Sequence, residues 1–402
     1  MDDIAREYLL IALAIDEIEH GIVDSYYGPP ELREEAKSGN ADADALARRT
    51  AALRNRLSGE TDDEQRALWL DRQLLGLETI ARRLAGEELP YLTEVERCFD
   101  AVPEATPPED YARTRTELEE LLPGDGDLRD RLAERERRLT LPADRLPELI
   151  DWVAADLRAE AAARWPLPNG EELTVSMVSD QPWAAYNWYD GNLKSRVEVN
   201  TDLPMRADQL AGTMAHETFP GHHMEHAWKE TRLYRELGRG EASAMLINTP
   251  EAYISEGLAE VGAWLVNDGA RWQERLLALC ARAGLALTQE DAQREWQITV
   301  AKRRLRGASG DAALQLHVAK RSRDDVVRFL EQDALATHER AVKSLEFIEH
   351  PLWRTYVFCY AGGERLLSQW VESAGDKTAQ HARFFRLLTE QITPSGIAAD
   401  SV

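Results

Sequence analysis

A proline–glycine pair divides the most histidine-rich segment of this chain, and this break constrains how the segment can fold. The segment 213–228 reads TMAHETFPGHHMEHAW and holds four of the nine histidines beside two glutamates. His216 and His222 are six residues apart, which is about 9 Å along the axis of a straight helix, too far for one metal ion to bind both easily. Because Pro220 lacks an N–H and Gly221 can adopt positive φ, we expect the helix to bulge there and bring the histidines together.

The residue types in this segment favour a metal centre over a pH-sensitive surface or a structural histidine cluster. Imidazole nitrogens and carboxylates are common zinc ligands, and the adjacent His216 and Glu217 supply one ligand and one base. A helix that is rich in histidine but has no such role needs no interruption. The spacing alone leaves His222 and His223 as alternative second ligands.

Charge and hydropathy narrow the classes of function. Charged residues make up 30% of the chain and the formal net charge is −24, which disfavours binding to nucleic acid or to anionic membranes. Acidic residues interrupt the apolar N-terminal stretch, and no segment approaches the roughly 20 apolar residues of a transmembrane helix. Cys98, Cys280 and Cys359 lie far apart, without zinc-ligand spacing. We therefore expect a cytoplasmic protein that binds neither nucleic acid nor membrane.

Helical periodicity dominates the sequence, with one convincing β region immediately before the histidine segment. Apolar and polar residues alternate over 173–177, as in a half-buried strand. Asp190-Gly191 then joins two strand-like segments, which end at 189 and begin at 195. The prediction is a mainly α protein with a small β-hairpin or sheet beside the site helix. We divide it into an N-terminal helical subdomain, 1–165, and a catalytic subdomain, 166–402, within one integrated unit.

Two features near this β region bear on the site. The strand around Val197 is placed to hold an extended peptide by main-chain pairing, although a purely structural hairpin is an equal alternative. Leu203-Pro204 is expected to open the histidine-bearing helix, with Asp202 as its N-cap.

The histidine segment resembles the HExxPGHH signature of the DUF885 family, whose members are related to the zincin metallopeptidases. Further matches are VDSYYGPPEL at 23–32, VEVN at 197–200, ISEGLAE at 254–260 and YAGGERL at 360–366. These matches span most of the chain. The resemblance implies a zincin-like helical metallohydrolase, but the family label fixes neither substrate nor reaction.

The resemblance also implies roles for individual residues. His216 matches the first zinc ligand, and Glu217 matches the general base. His222 is preferred as the second ligand because related helical peptidases place this ligand directly after a glycine. His223 is then a group that orients a ligand or contacts the substrate. Glu256 matches the third ligand of the gluzincin subgroup, in which a downstream glutamate completes a His-His-Glu site.

Three further residues are candidates for supporting roles. Glu256 and Glu260 form a like-charge i,i+4 pair, whose repulsion a bound cation would relieve, so Glu260 is expected to orient a ligand or to belong to a solvated acidic face. Tyr360 is the candidate hydrogen-bond donor to the developing oxyanion, with Tyr356 behind it; a buried structural tyrosine is the alternative.

We therefore expect a zinc-dependent metallopeptidase that binds one Zn²⁺ and cleaves amide bonds of peptides or peptide-like small molecules through a water molecule that the metal activates. Two alternatives stay open. One is an amide or ester hydrolase of a non-peptide metabolite. The other is a helical binding protein with structural zinc, in which His222 and His223 both bind. Manganese, cobalt or iron also suit these ligands. The basic runs 302–306 and 320–323 either receive a peptide carboxylate or form solvated helix faces.

Overall fold

Helices form most of the protein, whose computed structural model describes residues 1–39, 42–181, 183–202 and 204–400. The helices that precede the main sheet are α1 (Asp3–Asp16), α2 (Pro30–Ser38), α3 (Ala43–Glu60), α4 (Glu64–Leu84), α5 (Tyr91–Phe99), α6 (Pro108–Leu121), α7 (Leu128–Arg138) and α8 (Leu146–Ala162). Those that follow it are α9 (Ala207–Glu217), α10 (His222–Lys229), α11 (Pro250–Val266), α12 (Gly269–Ala283), α13 (Gln289–Arg303), α14 (Ala308–His317), α15 (Arg323–Gln332), α16 (His338–Glu349), α17 (Val357–Glu372), α18 (Lys377–Thr389) and α19 (Pro394–Asp400). None of the described helices is long and apolar enough to cross a membrane.

Short polar side chains begin many of these helices. Asp63 accepts a hydrogen bond from the backbone N–H of Arg66 at the start of α4, and Thr288 and Asp291 form a reciprocal capping box on α13. Such caps satisfy backbone donors that have no partner within the helix, and an acidic cap also interacts favourably with the helix dipole. Part of the acidic composition is therefore used to define helix starts.

A three-stranded sheet lies immediately before the site helices, which confirms the prediction of a mainly α protein with a small sheet beside them. Its strands are β2 (Glu172–Val178), β3 (Ala185–Gly191) and β4 (Lys194–Asn200). The central strand, β4, pairs in parallel with β2 and antiparallel with β3. The interpretation of the strand around Val197 as a peptide-binding edge is wrong, because both edges of β4 are already paired. The edge strand beside the site is β3.

A second sheet is absent from the sequence-based prediction. It pairs β1 (Val23–Tyr26) antiparallel with β5 (Ala244–Leu246). Strands of four and three residues are too short to show a clear alternation of apolar and polar residues. This sheet joins the N-terminal VDSYYGPPEL segment to the chain that leads into α11.

The expected start of the histidine-bearing helix is wrong. The helix α9 begins at Ala207, four residues after Leu203, which lies outside the described residues. Asp202 does not cap it, because its carboxylate accepts a hydrogen bond from the backbone N–H of Asp180 instead. Asp202 therefore stabilises the loop between β2 and β3.

Two hydrophobic cores meet along α11 and α17. Ala252 on α11 and Phe358 on α17 belong to the first core, with residues from α1, α4 and α5. Leu258 on α11 and Leu367 on α17 belong to the second, with residues from α8, β4 and α9. Side chains near the middle of α11 and α17 therefore lie at the junction of the cores. Both predicted subdomains contribute to the first core, and the boundary at 165 stays a prediction.

Paired glycines bring α11 and α17 into backbone contact. A Cβ atom on Gly257 would lie 2.5 Å from the carbonyl carbon of Gly363, and one on Gly363 would lie 2.5 Å from the carbonyl oxygen of Tyr253. Any larger residue at either glycine would therefore force the helices apart. The ISEGLAE and YAGGERL segments thus pack against each other, which places Tyr356 beside Glu256.

Candidate metal centre

The helix that bears the histidines is broken, and the break brings His216 and His222 together. The first segment, α9, ends at Glu217 and α10 begins at His222, with a cis peptide bond between Phe219 and Pro220. The expected positive φ at Gly221 is wrong, since its φ is −76°. The glycine is required for space instead, because a Cβ atom there would lie 1.8 Å from the carbonyl oxygen of His216.

Three potential donor atoms converge at this break. The Nε2 atoms of His216 and His222 lie 3.1 Å apart, and Glu256 Oε2 lies 3.3 Å from the first and 4.0 Å from the second. Four tetrahedral ligands at about 2.0–2.1 Å from one zinc ion lie roughly 3.3–3.4 Å from one another. The three residues predicted as ligands thus come together with separations that suit one zinc ion.

Glu256 presents to the histidines one oxygen that accepts no well-aligned hydrogen bond. Its Oε1 accepts a hydrogen bond of 2.6 Å from the hydroxyl of Tyr356, which fixes the carboxylate plane. Its Oε2 is buried and has no hydrogen-bond partner among the described residues. A buried carboxylate oxygen without a partner is costly, and a cation in the triangle of donors would stabilise it.

On its far side, the His216 ring faces a second carboxylate. His216 Nδ1 lies 3.4 Å from Glu260 Oε1, and Glu260 is also paired with Arg306. Burial acts to raise the pKa of Glu260, but Arg306 and His216 outweigh it and lower the pKa to about 2. An ionised carboxylate behind a histidine fixes the ring orientation and increases the basicity of the nitrogen that faces a metal. Arg306, in the basic run 302–306, is thereby engaged within the protein.

The His222 ring has a comparable arrangement on α10 and α11. Its Nδ1 lies 3.3 Å from Glu225 Oε2 and 3.3 Å from Ser255 Oγ. Glu225 also accepts hydrogen bonds from Ser255 and from the buried Lys229, which in turn contacts Glu251. Burial would raise the pKa of Glu225, but Lys229 and the hydrogen bond with His222 hold it well below its usual range.

A second potential set of donors, His222, Glu225 and His226, overlaps the first. It is less suited to a metal ion because the carboxylate of Glu225 is already satisfied by Lys229 and Ser255. The set of His216, His222 and Glu256 is therefore the better candidate to hold one ion.

His223 points away from this centre, contrary to its predicted role. Its fully buried ring lies 2.8 Å from Ser195 Oγ through Nδ1 and 3.0 Å from Glu171 Oε2 through Nε2. It does not line the cavity at the histidines, so it neither orients His222 nor is placed to contact a substrate. Instead it attaches α10 to β4 and to the start of β2.

The candidate centre opens into a cavity of about 650 Å³, and the predicted base and tyrosine both line it. The side chain of Glu217 is buried, which raises the pKa of its carboxyl group. Its backbone carbonyl accepts a hydrogen bond of 2.7 Å from Asn187 on β3. The centroid of the Tyr360 ring lies 5.7 Å from that of Tyr356. The hydroxyl of Tyr356 donates its hydrogen bond to Glu256. The other lining residues are Asp24, Trp183, Ala185, Tyr186, Asn187, His216, His222, His226, Met245, Ile247, Ser255, Glu256, Lys343, Glu346, Phe347, His350 and Trp353.

Several supporting residues escape sequence reasoning, and only some of them leave a local signal. Glu225 follows His222 by three residues and precedes Lys229 by four, so helical spacing alone could have placed all three on one face. Arg306 and Asp24 are far from the histidines in sequence. No local pattern connects them to the site.

Comparisons with known proteins identify the fold and leave the family open. No family model and no curated protein matches the chain. A predicted lipoprotein from Colwellia psychrerythraea is similar in structure, with a TM-score of 0.56, 16% sequence identity and coverage of 90% of this chain and 66% of that one. A predicted lipoprotein of unknown function from Shewanella oneidensis has a TM-score of 0.55 and 12% sequence identity, with coverage of 92% of this chain and 76% of that one.

A third solved structure, the M32 carboxypeptidase from Deinococcus radiodurans R1, is more distant. Its TM-score is 0.36 at 14% identity, with 96% of this chain and 89% of that one covered. The chain spans just under two thirds of the Colwellia protein. At these identities the two lipoprotein structures establish a shared fold alone, and the carboxypeptidase is too distant to bear on function.

Proposed function

We propose that this protein is a metal-dependent hydrolase that cleaves amide bonds in peptides or peptide-like small molecules. In this proposal His216, His222 and Glu256 hold one zinc ion. The observation that supports it is the triangle of donor atoms at 3.1, 3.3 and 4.0 Å, each held from behind by a separate partner. Such outer partners are typical of metal sites.

An open coordination position favours catalysis over a structural ion. Structural zinc sites are closed by four protein ligands, whereas catalytic sites keep one position for water or substrate. The fourth ligand of a closed site would be His223, which is held by Ser195 and Glu171 instead. The cavity of about 650 Å³ beside the donors also has the size of a small-ligand pocket, about 300–1,000 Å³.

The proposed chemistry assigns proton transfer to Glu217. A zinc ion bound here would supply a Lewis acid, which polarises a carbonyl group and makes a water molecule more acidic. Glu217 accepts the proton of the attacking water and delivers it to the leaving amine. Its burial in the cavity wall, which raises its pKa, suits a group that must both take and return a proton.

Tyr360 is proposed to stabilise the carbonyl oxygen as it gains negative charge. It lines the same cavity as Glu217, whereas the hydroxyl of its neighbour Tyr356 is used by Glu256. A phenol donates a hydrogen bond to an oxyanion without being deprotonated, and burial raises the pKa of Tyr360 further.

The test combines metal analysis with hydrolysis of matched peptide and ester substrates. Wild type, Glu217→Gln and Tyr360→Phe should each bind about one zinc ion per chain, and His216→Ala should bind none. We expect Glu217→Gln to lower kcat by about 10²–10⁴-fold and Tyr360→Phe by about 10²–10³-fold. The control is His338→Ala, an exposed residue of α16 that contacts Glu331.

Full metal content in His216→Ala would contradict the ligand assignment, and a Glu217→Gln protein as active as wild type would contradict the base. Cleavage of esters without cleavage of any peptide would favour the ester-hydrolase alternative. Metal binding without turnover of either substrate class would instead favour a structural ion.

A further inference from the structure

A carboxylate that the proposed reaction does not use lies in the wall of the same cavity. Asp24 is on β1, in the VDSYYGPPEL segment, and lines the cavity together with Glu217 and Glu256. The hydroxyl of Tyr186 on β3 donates a hydrogen bond to its Oδ1. Tyr186 on β3 therefore holds Asp24 in place.

Among the described residues, no lysine or arginine forms an ion pair with this carboxylate, although His222 acts to lower its pKa. The charged groups that act on Asp24 are His222 and Glu256, and neither lysine nor arginine is among them. The lysine of the cavity wall, Lys343, is exposed and lies 3.5 Å from Glu339. Burial raises the pKa of Asp24, which means that its ionised form is poorly stabilised in the protein alone.

The carboxylates around the candidate centre would outnumber the charges of a divalent ion bound there. Asp24, Glu217 and Glu256 carry three negative charges when ionised, of which a divalent ion would offset two. The carboxylates behind the histidines are paired separately, Glu260 with Arg306 and Glu225 with Lys229. With such an ion bound, these three carboxylates would keep one net negative charge.

The tyrosine that donates to Asp24 packs against two other aromatic side chains. The Tyr186 ring packs 5.7 Å from Trp183, which also lines the cavity, and 4.5 Å from Trp188. A carboxylate beside aromatic faces suits an organic cation, because the charge pairs with the carboxylate while the faces attract it through their quadrupoles.

We propose that Asp24 binds a primary ammonium group of the substrate. This inference rests on the proposed function and specifies its substrate class: peptides or peptide-like amides with an ammonium group within reach of the metal centre. That group is either the α-amino group of an unblocked N-terminus or the side chain of a lysine. The two sources share one chemistry, and substrates that differ in only one of them can separate the two.

The kinetic test uses two matched pairs of peptides. One pair compares a free with an acetylated N-terminus, and the other compares lysine with norleucine in an acetylated peptide. Wild type should prefer the charged member of one pair by about 10-fold or more in kcat/KM, and Asp24→Asn should abolish that preference. Asp190→Asn, at the exposed end of β3, keeps Asp24 and should keep the preference.

The ratio within a pair separates recognition from a general defect, because a misfolded variant loses activity on both members equally. A wild-type protein that cleaves both members of both pairs equally well would overturn the proposal. So would an Asp24→Asn protein that retains the wild-type ratio.

A binding measurement makes the proposal independent of turnover. The full-length protein is titrated with hexylammonium chloride and with 1-hexanol, and binding is followed by tryptophan fluorescence. Hexylammonium should bind wild type about 10-fold or more tightly than Asp24→Asn, while 1-hexanol should bind both alike. Equal hexylammonium affinities would overturn the role of Asp24, even in a protein that hydrolyses nothing. If hexylammonium shows the expected difference in affinity but no substrate is hydrolysed, the proposed function is contradicted and the role of Asp24 is not.

Discussion

Two adjacent histidines have different environments because consecutive residues of a helix point about 100° apart. His222 faces the cavity, where its Nε2 lies 3.1 Å from that of His216. His223 faces the sheet, where Ser195 and Glu171 occupy both of its nitrogens. The choice between them as second ligand therefore depends on which side of α10 meets α9, and spacing in the sequence contains no such information.

The contrast predicts different outcomes for the two alanine substitutions. His222→Ala should reduce zinc affinity by more than the roughly 10–100-fold typical of losing an outer partner. His223→Ala should retain about one zinc ion per chain but unfold at lower denaturant concentration, because it leaves buried polar partners unsatisfied. Metal analysis and urea unfolding measure both effects. Loss of metal in His223→Ala, with full metal in His222→Ala, would reverse the assignment.

At the scale of elements, the site depends on close backbone approach at two points. Gly221 lets the start of α10 approach the end of α9, and Gly257 lets α11 touch α17 at Gly363. The first approach brings His216 and His222 together. The second brings Tyr356 to within hydrogen-bonding distance of Glu256. The donor geometry is thus produced by contacts between four helix segments and by none of them alone.

Two glycine-to-alanine substitutions, one at the break and one within α9, test this interpretation. Gly221→Ala places a Cβ atom 1.8 Å from the carbonyl oxygen of His216, so we expect it to lower both the free energy of unfolding and zinc affinity strongly. Gly212→Ala in α9 meets nothing within 4 Å and should stabilise the protein by about 0.5–1 kcal/mol. The measurements are urea unfolding and metal content. A Gly221→Ala protein with wild-type values of both would disprove the steric requirement.

At the scale of the whole molecule, buried ion pairs connect segments that are far apart in the sequence. Arg135 on α7 contacts Asp208 on α9 at 2.7 Å and Glu295 on α13 at 2.5 Å. Asp208 also pairs with Arg206 at 3.0 Å. These contacts join the two predicted subdomains near the start of the helix that bears His216. The cytoplasmic location and the absence of nucleic-acid or membrane partners stay predictions.

The ion pairs of Asp208 with Arg135 and Arg206 predict that the free energy of unfolding falls in acid. Burial acts to raise the pKa of Asp208, but Arg135 and Arg206 outweigh it and lower the pKa below the usual value of about 3.9. A carboxyl group whose pKa is lowered by folding stabilises the protein above its unfolded pKa, and this contribution disappears as the pH falls through the folded pKa. Asp208→Asn should therefore be less stable than wild type at pH 7, by about 3 kcal/mol for a broken buried pair.

The difference between wild type and Asp208→Asn should shrink as the pH falls from about 5 toward 2, which urea unfolding at several pH values can measure. Asp190→Asn, at an exposed pair with Arg196, is the control and should change stability little throughout. A constant difference between wild type and Asp208→Asn across that range would show that ionisation of Asp208 does not stabilise the fold.

Residue types and short spacings were sufficient to predict the mainly helical fold, the sheet before the site and the break at Pro220-Gly221. They also selected His216, while the family resemblance selected Glu256, and the structure places the two 3.3 Å apart. These features are local, because helical periodicity, strand alternation and a proline–glycine break all act within a few residues. The assignment of zinc ligands and of catalytic roles to them stays a proposal.

Contacts between distant segments decided the rest. Three contacts illustrate this: His223 with Ser195, Arg306 with Glu260, and Asp24 with Tyr186. Their partners are 28, 46 and 162 positions apart in the sequence. Such contacts form only when two hydrophobic cores bring their elements together, so no periodic pattern records them. The HExxPGHH segment therefore predicts what chemistry is available, while packing determines which side chains can take part in it.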